Sequence, residues 1–181
     1  GTFAEDCAGA FQFTRAAQDD YALASLSRAL EAQKSGSFRA EIAPVKVPTH
    51  QGEITVDADE QPATARPEKI PTLKPAFRKE GTITAGNSPG LNSGASAMLL
   101  AERGWAEKNG LVPMARLASF GLAAVEPDFF GLGPAPSVHQ ALARAGWSVA
   151  DVDRVEINEA FAAIALSCLR EIGFAEDVVN V

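Results

Sequence analysis

Residues 151–173 read DVDRVEINEAFAAIALSCLREIG, and this stretch decides the fold. Asp151-Val152-Asp153 leads into Val155-Glu156-Ile157, which reads as a short strand. Residues 159–172 then carry a helical pattern that Gly173 stops. Val178-Val179-Asn180-Val181 opens a further strand. A strand, a helix and a strand in immediate succession make the repeating unit of layered α/β folds.

The alternation continues toward the N-terminus. Residues 95–101 (ASAMLLA) are small and apolar and predict a buried strand. Residues 102–109 predict a helix ended by Gly110, and residues 115–125 a second apolar strand. A Gly/Pro loop follows over 127–136, with GLGPAP at 131–136. Ser137 is then expected to cap a helix that stops at Gly146.

Residues 1–80 do not share this alternation. Phe3, Cys7, Ala10 and Phe11 lie on one face of a helix. Thr14 offers a cap, and Leu23, Leu26 and Leu30 form a stripe with Ala22 and Ala29, so a helix over 15–35 is predicted, closed by Gly36. Ile42, Val45 and Val47, then Glu53–Val56 after Gly52, predict a short hairpin. Pro62, Pro67, Pro71 and Pro75 argue against any regular element over 57–76 and for a surface excursion. Residues 81–94, GTITAGNSPGLNSG, hold four glycines and allow a close backbone approach or a sharp reversal. A domain boundary is expected within 80–90.

Composition narrows the function classes. The 181 residues are 46% hydrophobic and 22% charged, the balance of a globular protein. A net charge of −7 lacks the basic footprint of a general nucleic-acid binder and any polybasic membrane patch. No apolar run of about 18 residues is present to cross a membrane. Cys7 and Cys168 are too few and too far apart for a disulfide framework, and a reducing cytoplasm is the default compartment. Both sit in apolar helical stretches and read as small core residues. His50 and His139 read as surface residues, and a metal site of these four residues would need all of them to converge.

Two places could carry chemistry. The first is the junction at Asn158, because ligands gather at the carboxyl ends of strands in α/β sheets. Read from spacing alone, Asn158 is an N-cap, and Glu156 and Glu159 beside it are a poor acid/base pair. The second is the Gly-rich loop, which has neither G-x-x-x-x-G-K-[ST] nor G-x-G-x-x-G and is therefore no nucleotide phosphate cradle.

The ordered set of motifs goes further than any one of them. DDYALASLSRALEAQKSGSFRAEIAPV at 19–45, DADE at 57–60, GTITAGNSPGLNSGASAMLL at 81–100, GLGPAP at 131–136 and INEAFAA at 157–163 together resemble the thiolase family, over nearly the whole chain. The resemblance implies an α/β, thiolase-like layered fold, partial here, with an inserted loop domain of helices and short strands. Residues 1–84 would be the later part of that loop domain, 85–111 the end of the N-terminal α/β half, and 112–181 the start of the C-terminal half.

It also implies acyl transfer to coenzyme A, forming or cleaving 3-ketoacyl-CoA through a cysteine acyl-enzyme. Coenzyme A is then a substrate, and no separate cofactor is expected. Acyl-CoA, coenzyme A and further copies in a homo-oligomer are the implied partners; nucleic acid and membrane are not. Cys7 and Cys168 match neither catalytic cysteine, whose segments and that of the catalytic histidine are expected to lie outside these residues. The alternative is a non-catalytic, CoA-binding half-protein that pairs with a subunit supplying the catalytic cysteine and histidine. By the same resemblance, Asn158 would position a water in an oxyanion hole. Phe161 would line the reactive pocket, and Ser88, Pro89 and Gly90 would lie against the pantetheine arm. Pro89 stands where serine is frequent, and Phe130 where methionine is common, which bears on the acyl chain. Contacts to adenine and phosphate would fall in the proline-rich stretch; its Arg66 and Lys69 are better accounted for by solvation of a surface.

Overall fold

The computed structural model describes residues 1–181. Helix α6 (Ala162–Ile172) is its centre, and every residue from Ala162 to Leu169 is buried. A helix that is apolar all round needs neighbours on all sides. Here α1 (Thr2–Ala10), α2 (Arg15–Ser35) and α5 (Pro134–Ala145) pack around it, with a 3₁₀ turn at Pro127–Leu132. The core joins Ala4, Cys7 and Ala8 of α1 to Ile83, Ala135, Ala163, Ile164, Cys168 and Ile172.

Helix α2 has the predicted bounds. Thr14 caps it by accepting the Ala17 amide at 3.1 Å, and Gly36 ends it with φ 75°. The hairpin also forms. Strands β1 (Val45–Thr49) and β2 (Gly52–Val56) are antiparallel, with Val45 opposite Val56 and Val47 opposite Ile54. All ten residues are exposed, so the valines and isoleucine of one face meet no core.

Several expectations are corrected. Residues 95–101 and 115–125 form no ladder. A strand satisfies its backbone groups only through a neighbour, and no segment of this chain pairs with these. Their apolar side chains stay in solvent: Leu99 is 79% exposed and Leu117 77%. The 115–125 run is instead held to α5 from outside. Ser119 donates to the Ala141 carbonyl at 2.6 Å, and the Leu122 amide donates to Gln140 at 2.9 Å. The strands expected at 155–157 and 178–181 reduce to one parallel bridge, Val155 to Val179.

The expected helix at 159–172 begins only at Ala162, with Phe161 as its N-cap, so Asn158 caps nothing. Glu102 lies outside helix α4 (Arg103–Lys108) and caps it, accepting the Gly104 and Trp105 amides at 2.9 and 2.8 Å. Those two bonds hold its carboxyl below the ordinary carboxylate range. Ser137 does not start α5, which begins at Pro134; its hydroxyl donates back to the Gly133 carbonyl at 2.9 Å. The proline-rich stretch is not featureless: α3 (Glu60–Thr64) carries Pro62 in its first turn, and a 3₁₀ turn at Pro67–Thr72 opens on Pro67 and contains Pro71. Pro62 and Pro67 are tolerated because the first turn of a helix leaves its amides unbonded in any case. No helix is long and apolar enough to cross a membrane.

Candidate functional site

The Gly-rich loop is held by a buried polar network. Arg15, in the first turn of α2, donates to Asp19 at 2.7 Å and to the carbonyls of Ile70 and Leu73 at 2.7 and 3.0 Å. Asp19 in turn accepts the Asn87 side-chain amide at 3.0 Å. Asn87 also accepts the Thr84 amide at 2.8 Å and donates to the Thr82 carbonyl at 3.0 Å, which closes the loop on itself. Glu5 of α1 receives the Thr82 and Ile83 amides at 2.9 and 3.1 Å. Buried polar groups of this kind are stable only when bonded, so the loop has one shape. One glycine of the loop packs closely against other residues of the chain. An added Cβ on Gly86 would lie 2.9 Å from Leu73 Cδ1 and 3.1 Å from Ile70 Cγ1.

The strand-to-helix junction is held by a second network. The Glu159 carboxylate accepts from the Tyr21 hydroxyl at 3.0 Å, the Ser25 hydroxyl at 2.7 Å and the Asn180 side-chain amide at 2.8 Å. Burial, then the Glu159 charge and hydrogen bond, push the Tyr21 hydroxyl well above the ordinary tyrosine range, so it remains a donor. Asn180 also bonds both backbone groups of Ile157, accepting its amide at 2.8 Å and donating to its carbonyl at 3.0 Å.

Between α2 and the Gly-rich loop lies an open groove of about 620 Å³. Ala22, Leu26, Ala29, Ile70 and Leu73 give it apolar walls, and Tyr21, Ser25, Asn87 and Glu159 give it polar ones. Ser88, Pro89 and Gly90 line it together, and Arg66 and Lys69 line it as well. The Ser88 hydroxyl is turned inward, donating to the Thr84 carbonyl at 2.6 Å. Asn158, Phe130 and Phe161 are outside this lining. Asn158 is exposed and its side chain bonds to nothing in the chain, although its neighbour Glu159 lies in the groove. Phe161 is half-buried, edge-on to Phe77 with ring centres 6.1 Å apart. Phe130 stands apart against Phe3, edge-on at 6.2 Å. Sequence reasoning missed Tyr21, Ser25, Asp19 and Asn180 as parts of the site. Each reads locally as a helix-surface or strand residue, and its partner is distant in the chain.

The thiols are core groups. Cys7 and Cys168 are fully buried, and Cys168 donates to the Gly131 carbonyl at 3.1 Å. Burial, with smaller effects of Cys7 and Glu171, pushes the Cys168 thiol up to about 11. Burial and then Asp6 raise that of Cys7. Both stay protonated near neutrality, which is opposite to what a nucleophile needs. His50 and His139 are exposed, and no three His, Cys, Asp or Glu side chains converge on a point where a metal ion could sit.

Two family profiles run along the chain: "Thiolase, N-terminal domain" matches residues 1–104 and "Thiolase, C-terminal domain" matches residues 111–181. The chain belongs to the thiolase family. It is 48% identical to the acetyl-CoA acetyltransferase of Paracoccus denitrificans, over 100% of this chain and 46% of that thiolase. It is 44% identical to the cytosolic acetyl-CoA acetyltransferase of Mus musculus, again over 100% of this chain and 46% of the other. The crystal structure of the Bacillus anthracis acetyl-CoA acetyltransferase superposes with a TM-score of 0.96 at 40% identity, over 99% of this chain and 46% of that one. Human mitochondrial 3-ketoacyl-CoA thiolase superposes at 0.88 with 34% identity, over the same shares. The chain thus has the thiolase fold in part, and spans about half the length of the relatives it matches.

Proposed function

We propose that this chain is part of a thiolase that forms or cleaves 3-ketoacyl-CoA by acyl transfer to coenzyme A, through an acyl-enzyme on a cysteine outside these residues. The observation that carries this reading is the match to the Bacillus anthracis acetyl-CoA acetyltransferase, which covers 99% of the chain. The buried, protonated state of Cys7 and Cys168 supports placing the nucleophile elsewhere.

In this reading the groove beside Ser88, Pro89 and Gly90 takes the pantetheine arm of coenzyme A, with its apolar wall on α2 and the turn at Pro67–Thr72. Arg66 and Lys69 are the cations at hand for its phosphates. Asn158, with a free side-chain amide, orders a water that donates to the thioester oxygen as negative charge develops there. Phe161 and Phe130 shape the acyl end. Coenzyme A is a substrate and no further cofactor takes part. The division at 84 and 111 belongs to the same reading; the gap between the two profile matches at 104 and 111 supports its second boundary. A homo-oligomer is the expected assembly.

The test is CoA-dependent cleavage of a 3-ketoacyl-CoA by the complete polypeptide that carries this segment. Turnover is expected. A complete polypeptide that neither cleaves nor condenses acyl-CoA would refute the proposal, and one that binds coenzyme A without turnover would favour the half-protein reading.

A further inference from the structure

Asn158 is free, yet both of its neighbours in the chain are clamped. On one side, the Ile157 amide and carbonyl are both bonded to the Asn180 side chain, at 2.8 and 3.0 Å. On the other side, the Glu159 carboxylate is bonded by Tyr21, Ser25 and Asn180 at 3.0, 2.7 and 2.8 Å. Asn180 itself has φ 50°, a left-handed conformation that asparagine accepts more readily than most residues. The Val179 carbonyl, next to it, accepts from Arg28 of α2 at 2.9 Å. Three residues of α2 therefore grip the two segments that meet at Ile157 and Asn180, next to Asn158.

We propose that Glu159 and Asn180 are positioning residues that aim the Asn158 amide, and that Tyr21 and Ser25 anchor them to α2. The inference rests on the thiolase reading above. The Ile157 peptide is held at its amide and its carbonyl, and the Glu159 side chain is held at both oxygens. The Asn158 backbone between them has little freedom left, and its own carbonyl accepts the Ala160 amide at 3.0 Å. A donor aimed at a developing oxyanion needs such support, because a displacement of about 1 Å costs on the order of a hundredfold in rate. Glu159→Gln replaces one of the two acceptor oxygens by an amide donor and removes the charge that strengthens all three hydrogen bonds, so the clamp loosens without loss of volume.

The experiment is a double-mutant cycle in the complete polypeptide: Asn158→Ala, Glu159→Gln and both together, with kcat and KM for coenzyme A measured on each. Glu159→Gln is expected to lower kcat about 10- to 100-fold, with KM changed less than about threefold. The double variant is expected to be no slower than Asn158→Ala alone, because Glu159 acts through Asn158. Losses that multiply would overturn the inference, and so would a raised KM at unchanged kcat, which would make Glu159 a substrate contact. Ser25→Ala deletes a single oxygen of the same clamp and serves if Glu159→Gln fails to fold; a smaller fall in kcat that vanishes on the Asn158→Ala background supports the inference, and an unchanged kcat overturns it. A wild-type polypeptide without turnover refutes the thiolase reading and this inference with it, whereas an active wild type with multiplying losses refutes this inference alone.

Discussion

The backbone carbonyl of Asn87 accepts the amide of Ala162 at 3.0 Å. Ala162 opens helix α6, whose first amides have no partner within the helix. One of them is satisfied by the Gly-rich loop, so the loop and the buried helix form a single unit. The Asn87 side chain makes three more bonds, to Thr84, Thr82 and Asp19, and the residue is 3% exposed. Asn87→Ala should therefore destabilise the protein by about 3 kcal/mol, because it strands a buried amide, a part-buried carbonyl and part of the Asp19 carboxylate. Urea melts of the complete polypeptide would show this as a lowered midpoint. An unchanged midpoint would mean that the network is not formed in solution.

Gly121 lies where a side chain cannot. An added Cβ there would overlap the Ser137 carbonyl oxygen and lie 3.0 Å from the Ala141 amide nitrogen, both backbone atoms of α5. Gly121→Ala should cost about 1–3 kcal/mol, since neither atom can move without bending the helix. The check is a fall in Tm of several degrees, and a wild-type Tm would show that residues 119–122 do not rest on α5.

The thiols predict both reactivity and a pH dependence. Native Cys7 and Cys168 should resist iodoacetamide at mildly alkaline pH and react once the chain is unfolded. Cys168 has its folded pKa raised from 9.0 to about 11, so the folded state holds this proton more tightly. Its contribution to stability is complete below about pH 9 and declines as pH rises toward about 11. Denaturant midpoints across that window should fall with pH, less so in Cys168→Ala. A midpoint that rises with pH would contradict the assignment.

The unpaired apolar runs should make the isolated 181-residue chain associate. Leu91, Val112 and Met114 are 106%, 89% and 103% exposed, and Leu99 and Leu100 are close to 80%. Exposed apolar segments without a ladder partner join neighbouring molecules. Light scattering should report a mass that climbs with concentration, and Leu99→Glu should reduce the climb. A concentration-independent monomer would rule this out.

Where the signals were local, the sequence alone was sufficient. Helix α2 was legible because Thr14, the leucine stripe and Gly36 all act within a turn of where they sit. The hairpin was legible for the same reason, and so was the burial of Cys7 and Cys168 among apolar neighbours on their own helices. The ordered motifs determined the family, because the order of short segments along a chain is itself sequence information.

The tertiary structure decided what depends on distant partners. The helical pattern extends back to Glu159, but the helix starts at Ala162, and the Glu159 carboxylate is bonded instead to Tyr21, Ser25 and Asn180. The runs at 95–101 and 115–125 have strand composition, but a ladder needs an adjacent strand, and composition cannot supply one. The groove likewise exists only because Arg15, Asp19 and Asn87 join α2 to the Gly-rich loop. Propensity and capping act between neighbours in the chain, whereas a buried hydrogen bond is made wherever folding brings donor and acceptor together. That is why the elements could be read from the sequence and the site had to be seen in the fold.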